Sequence, residues 1–228
     1  MRLNFLGALA LKYTPMMKRI ILLDFDGVLA DTADLMLRFS AEVCAGLGNP
    51  CTPTRADLEA LRPMSFDSLG RRLGLPEDMI GEYIEGCLAR FREYPAPLPA
   101  FPGIPEAVAR LAQQGRIGIV TGNGAAAVRR FLEHHGLARY IELVLGEEDP
   151  RPRLEKLRAV MEALGQPGDT FYMIGDAVSD VTNARVIGAT SVAVAWGHQN
   201  PDDLRRAGAD FLVASPEELV AAISTKDL

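Results

Sequence analysis

The chain has 228 residues, of which 48% are hydrophobic and 24% charged, and its formal net charge is −6. That composition suits one large globular domain, or a core with a smaller appendage, and excludes a long disordered tract. An acidic balance without a basic stripe argues against nucleic-acid binding, and no apolar stretch approaches the roughly 20 residues of a membrane span.

Residues 1–16 read as an N-terminal extension whose short apolar run is interrupted by Asn4 and Gly7, with Met16-Met17-Lys18-Arg19 abutting the first strong strand. The expected location is cytoplasmic. Ile20 to Leu23 is a continuous apolar run of strand formers, as expected of a strand buried on both faces. From about Thr32 to Tyr94 the periodicity is helical, with turn signals at Gly48-Asn49-Pro50, Arg62-Pro63 and Gly74-Leu75-Pro76. This predicts an all-helical insert, leaving through the proline-rich connector Tyr94 to Pro102. Cys44, Cys51 and Cys87 have neither CxxC spacing nor a zinc-type histidine partner, and read as reduced structural thiols.

Beyond the insert, strand and helix alternate. Strands are predicted at Arg116 to Thr121, Ile141 to Leu145, Thr170 to Ile174, Thr190 to Ala195 and Asp210 to Val213. Helices are predicted at Gly103 to Gln114, Ala125 to His135, Leu154 to Leu164 and Val178 to Ile187. The alternation predicts an α/β, Rossmann-like parallel sheet with helices on both faces. The expected division is a core of residues 17–31 and 97–228 and a helical cap of residues 32–96, hinged near Asp31 and Ala96.

Three segments carry chemistry. The first strand ends in Asp24-Phe25-Asp26-Gly27, and alternate side chains of an extended chain share a face. The paired carboxylates lie where open α/β sheets bind ligands, and their repulsion implies a metal or a shared proton. Thr121-Gly122-Asn123-Gly124 follows another strand and opens a helix, which suits a phosphate cradle but also an ordinary strand-to-helix turn. Gly175-Asp176-Ala177-Val178-Ser179-Asp180 sets two more carboxylates one helical turn apart at a strand end. Four such acids repel by several kcal/mol even at an effective dielectric near 20, so a divalent cation is expected, and oxygen-only ligands favour Mg2+. A basic counter-charge is expected from Arg151, Arg153 or Lys156.

These segments, in this order, resemble the motifs of the haloacid dehalogenase superfamily, with the insert similar to the cap of its phosphoglycolate phosphatase-like branch. The resemblance covers residues 19 to 225. It implies a Mg2+-dependent phosphatase acting on a small phosphorylated metabolite such as phosphoglycolate or a sugar phosphate. Asp24 would be the nucleophile that forms an aspartyl-phosphate and Asp26 the general acid and base. Thr121, Gly122 and Asn123 would hold the phosphate, and Asp24, Asp26, Asp176 and Asp180 would bind or support the metal. For the basic residue Lys156 is preferred over Arg151, because a compact ammonium fits between carboxylate and phosphate better than a guanidinium fork. Among cap residues Arg55, Arg62, Phe66, Arg71 and Arg72, Arg62 is the preferred substrate contact. Trp196 and His198 fall near the crevice, with Trp196 expected to pack.

Rival activities require other residues. A dehalogenase needs no acid at Asp26, and a phosphonatase needs a cap lysine, whereas residues 32–94 contain none. A sugar phosphomutase shares every core motif and stays open, and a non-catalytic binding module would not demand four intact acids. The chain is expected to act as a monomer or homodimer.

Overall fold

The computed structural model describes residues 18–224. The predicted N-terminal extension therefore lies outside the described residues. Six parallel strands form one sheet in the order β3-β2-β1-β4-β5-β6. They are β1 (Arg19–Leu23), β2 (Gly115–Val120), β3 (Ile141–Leu145), β4 (Thr170–Gly175), β5 (Thr190–Val194) and β6 (Phe211–Val213).

The central strand shows why the sheet is buried on both faces. Ile20 and Leu22 pack with Leu157, Val160 and Leu164, while Ile21 and Leu23 pack with Ile104, Val108 and Leu111. All four β1 side chains are fully buried. The first set of partners lies on α7 (Arg153–Leu164) and the second on α5 (Ile104–Leu111). Burying each aliphatic side chain contributes about 1.5–3 kcal/mol, so this strand alone anchors the sheet between its two helical layers. The remaining core helices are α6 (Ala125–His134), α8 (Val178–Ile187), α9 (Pro201–Arg206) and α10 (Pro216–Ser224).

Between β1 and β2 the chain makes the helical insert of α1 (Ala33–Gly46), α2 (Arg55–Glu59), α3 (Phe66–Arg72), a 3₁₀ turn (Glu77–Met79) and α4 (Ile80–Glu93). It has a small core of its own, in which Val43, Cys44, Leu75, Ile80, Tyr83 and Cys87 pack together. Tyr83 satisfies its buried hydroxyl by donating to Ser40 Oγ at 2.8 Å. The cysteines are free thiols, and burial pushes Cys44 up to about 12 and Cys87 up to about 11. The two crossings between core and insert run side by side, tied by Asp31 N–H to the Pro99 carbonyl at 2.9 Å and Phe101 N–H to the Leu29 carbonyl at 3.1 Å.

Register fixes the position of the site. Leu23 is level with Ile119 on one side and Ile174 on the other. Asp24, Thr121 and Asp176 therefore emerge at one sheet edge. The chain runs outward through β2 and β3 on one side and β4 to β6 on the other, so the topological switch point falls between β1 and β4, where such sheets form their ligand crevice. Among the described residues no helix is long and apolar enough to cross a membrane.

Candidate active site

Asp24, Asp176 and Asp180 each bring a carboxylate oxygen to within 4.8 Å of the others. Asp24 follows β1, with its N–H bonded to the Ile174 carbonyl of β4 at 2.9 Å and Oδ1 accepting from Phe25 N–H at 2.7 Å. Asp176 follows β4 and accepts from the His198 N–H at 2.6 Å. Asp180, in the first turn of α8, accepts from the Ala177 N–H at 3.1 Å, which fixes its carboxylate against the helix start.

Two glycines make this convergence sterically possible. Gly27 has φ +77°, and a Cβ there would fall inside the Asp176 carboxylate and 2.7 Å from His198 Nδ1. Gly197 likewise passes so close that a Cβ would collide with Asp176. His198 is thereby wedged against the acids, with Nδ1 3.2 Å from Asp176 Oδ2 but outside hydrogen-bonding geometry. Burial alone would lower its pKa, yet the charges of Asp176, Asp26 and Asp24 raise it.

The acids interact strongly. Burial, followed by the repulsion of Asp180, Asp176 and Asp26, pushes Asp24 up to about 8 even though Arg153 acts in the opposite sense. Burial likewise raises Asp180, again against Arg153. Without a cation these carboxylates hold protons that a carboxylate normally gives up near pH 4. A buried, oxygen-only cluster of this kind is positioned to chelate a hard divalent cation.

Asp26 points to a different part of the site. Its Oδ1 accepts from Thr32 Oγ1 at 2.8 Å, and Asn123 Nδ2 lies 3.4 Å and 3.5 Å from its two oxygens. Burial raises its pKa despite the opposing hydrogen bond from Thr32 and the charge of His198. Thr121 and Asn123 are buried at the β2 end, where Thr121 Oγ1 accepts from the Asn123 N–H at 2.9 Å and Asn123 Oδ1 from the Gly124 N–H at 2.8 Å. Two of the N–H groups of this turn are thus paired locally, while Gly122 is exposed and lies on the cavity wall.

The three basic candidates separate clearly. Arg153 Nη2 bridges Asp24 Oδ2 at 2.9 Å and Asp180 Oδ1 at 2.8 Å. Lys156 also lines the cavity, but its Nζ donates to the Gly146 carbonyl at 2.6 Å. Arg151 pairs with Asp149 and is not part of the wall. The geometry therefore differs from the sequence preference, and the reason lies in the start of α7. Pro152 is the N-cap, which makes Arg153 the first helical residue facing the strand ends and sets Lys156 one turn deeper.

Arg62 also lies elsewhere than expected. It donates to the Glu59 and Leu61 carbonyls and to Asp203 of α9 at 2.5 Å, outside the cavity. Beside it, Gln199 Nε2 donates to the Leu61 carbonyl at 2.6 Å while its Oε1 accepts from the Val178 N–H at 2.8 Å. This loop fastens the insert to the core. Arg55, Arg71 and Arg72 pair with Asp34, Asp67 and Asp57 respectively. Phe66 alone of the five insert candidates reaches the wall. Trp196 packs against the core and donates to the Val28 carbonyl at 3.2 Å, whereas His198 faces the cavity.

The cavity over the acids has a volume of about 610 Å³, with a floor of core residues and walls from the insert. A parallel sheet interrupted by a helical insert, with a carboxylate cluster at the switch point, defines a capped α/β hydrolase whose acids are placed to chelate a divalent cation. The profile of the haloacid dehalogenase-like hydrolases matches residues 21–194, and the chain belongs to that family. It is 30% identical over 215 residues to the probable phosphatase IndB of Dickeya dadantii, covering 90% of this chain and 94% of that one. It is 28% identical over 209 residues to a phosphoglycolate phosphatase of Synechococcus elongatus, covering 90% and 96%. Among solved structures, a haloacid dehalogenase-like hydrolase from Streptococcus pneumoniae superposes with a TM-score of 0.78 at 19% identity, covering 91% of this chain and 99% of that one, a likeness of fold.

Proposed function

We propose that the protein is a Mg2+-dependent phosphomonoesterase that transfers the phosphoryl group of a small metabolite to Asp24 and then to water. The observation that carries this reading is the cluster of Asp24, Asp176 and Asp180 with the Arg153 guanidinium set between two of them. Asp24, Asp176 and Asp180 would hold the Mg2+, which when bound neutralises charge on the phosphate and keeps Asp24 ionised.

The chain's own residues would supply the remaining steps. An Asp24 oxygen attacks phosphorus while the bond to the leaving oxygen breaks. Asp26, which burial holds above the usual carboxylate range, gives a proton to the leaving oxygen. It then recovers a proton from the water that attacks the same phosphorus, releasing inorganic phosphate and restoring Asp24. Arg153 adds fixed positive charge where the phosphate oxygens would lie. Thr121 and Gly122 at the β2 end complete the proposed cradle. Phosphoryl transfer depends chiefly on such positioning and charge.

The test is phosphate release with Mg2+ and with excess chelator, combined with mass spectrometry of the intact protein during turnover. The expected result is Mg2+-dependent release and one transient phosphoryl group on the Asp24 peptide, both lost in Asp24→Asn. Turnover retained by a folded Asp24→Asn protein would sink the covalent mechanism.

A further inference from the structure

The character of the walls, as distinct from the floor, limits what can leave with the phosphate. We infer that the substrate is a phosphomonoester whose leaving group is uncharged and largely apolar, of about the size of a ring, and not one that carries a second anionic group. The inference rests on the phosphatase reading of the same site.

The cationic side chains of the cavity lining that offer donors to an anion, Arg153 and Lys156, both stand on α7 in the core, at the end where the phosphate would bind. His198 is also a floor residue, wedged against Asp176. The insert contributes the apolar side chains of Met36, Met64, Phe66, Ile84, Leu88 and Phe91, besides Pro63 and Ser65, whose hydroxyl donates to Ser68 Oγ at 3.1 Å, and no lysine, arginine or histidine. Ile84, Leu88 and Phe91 recur at helical spacing on α4, so one face of that helix forms a continuous apolar wall. The one charged group that the insert brings to the lining is Asp67, a carboxylate that repels an anion and is paired with Arg71. The insert's arginines all lie outside the lining and each is held by an acid, Arg92 by Glu85 and by Glu147 of the cavity wall.

A carboxylate or second phosphate brought against this wall would lose its water without gaining a partner, which is strongly unfavourable. An aromatic or aliphatic group would gain from the same surface. The volume of about 610 Å³ also exceeds what a two-carbon acid fills, and the unfilled remainder would stay wet.

The experiment compares kcat/KM of the Mg2+-loaded full chain for benzyl phosphate, a hexose 6-phosphate and phosphoglycolate, with acetyl phosphate as a small activated phosphoryl donor. Burial of one ring predicts that benzyl phosphate exceeds phosphoglycolate by about a hundredfold. Leu88→Arg is expected to narrow that ratio at least tenfold by placing a cation in the wall, and Met64→Arg, on a loop, serves the same purpose should the helical variant fail to fold. Phosphoglycolate or the hexose phosphate turned over as well as benzyl phosphate would overturn the inference while leaving the phosphatase reading intact. If acetyl phosphate and every ester are left untouched and Asp24 is never phosphorylated, the phosphatase reading falls and this inference with it.

Discussion

Removing the divalent cation should make the stability of this protein fall as pH rises, the reverse of the usual behaviour of a carboxylate-rich surface. In the folded, cation-free chain burial and neighbouring acids push Asp24 up to about 8, while an unfolded aspartate titrates near 4. Between those values the folded state holds a proton that the unfolded state has lost, so stability attached to this group is fully present below about pH 4 and is lost as pH rises to about 8. The difference corresponds to on the order of 5 kcal/mol, a substantial part of a domain's net stability. Asp26 and Asp180 are raised in the same sense, and so is His198, so none of them offsets the trend in this window. The assay is urea unfolding at pH 5, 6, 7 and 8 in chelator and in excess Mg2+. The expected result is a steep decline with pH in chelator, flattened by Mg2+ and also by Asp24→Asn, which removes the titrating group at nearly constant shape. Stability in chelator that is level or rising between pH 5 and 8 would refute the argument that these acids are mutually destabilising.

Four further outcomes are expected. Arg153→Met should lower kcat by about 10²–10³-fold, more than Lys156→Met, with Arg151→Met near wild type; steady-state phosphate release checks the order, and a larger loss at Lys156 would move the counter-charge there. Gly27→Ala combines a left-handed backbone cost of about 1–2 kcal/mol with collision against Asp176 and His198, and thermal scans should show a lower Tm and a reduced Mg2+-induced increase. Gln199→Leu should cost about 1–3 kcal/mol by leaving the Val178 N–H without its partner, the Leu61 carbonyl still accepting from Arg62, whereas the Arg62 and Asp203 pair, with Arg62 38% exposed, should show a coupling below about 1 kcal/mol in a double-mutant cycle read by urea unfolding.

The sheet was readable from sequence because a strand buried on both faces has to be apolar at successive positions, as Ile20 to Leu23 are, and few other environments require that of a short segment. The ends of α6 to α8 were readable to within a residue or two because glycines, or a proline before Arg153, stop or start them. The acids at the strand ends followed from the same reasoning, since register carries them to one edge. The insert was visible as helix but its inner face was not. Ile84, Leu88 and Phe91 have the spacing of a core-facing stripe, and periodicity does not distinguish a face that packs from one that lines a cavity. Its arginines drew attention as potential substrate contacts, yet Arg62 and Arg71 are each within reach of an acid, and an ion pair on the outer surface was the alternative that spacing alone could not rule on.

Arg153 illustrates most sharply how the place of a side chain in the candidate site is set by a boundary. Arg151, Arg153 and Lys156 are close in sequence and similar in charge, so composition offers no choice between them. The choice is made by Pro152, which cannot donate a backbone hydrogen bond and is tolerated where α7 begins; the next side chain then projects from the helix start toward the strand ends. At that position one guanidinium nitrogen, Arg153 Nη2, touches Asp24 and Asp180 at once, whereas the Lys156 ammonium one turn deeper is held by the Gly146 carbonyl. On the proposed reading, all of the charge that meets the phosphate would come from strand ends and one helix start, and none from the insert. Phosphate chemistry and leaving-group recognition would then sit on separate pieces of chain, so that a change in the apolar wall of α4 need not disturb the acids beneath it.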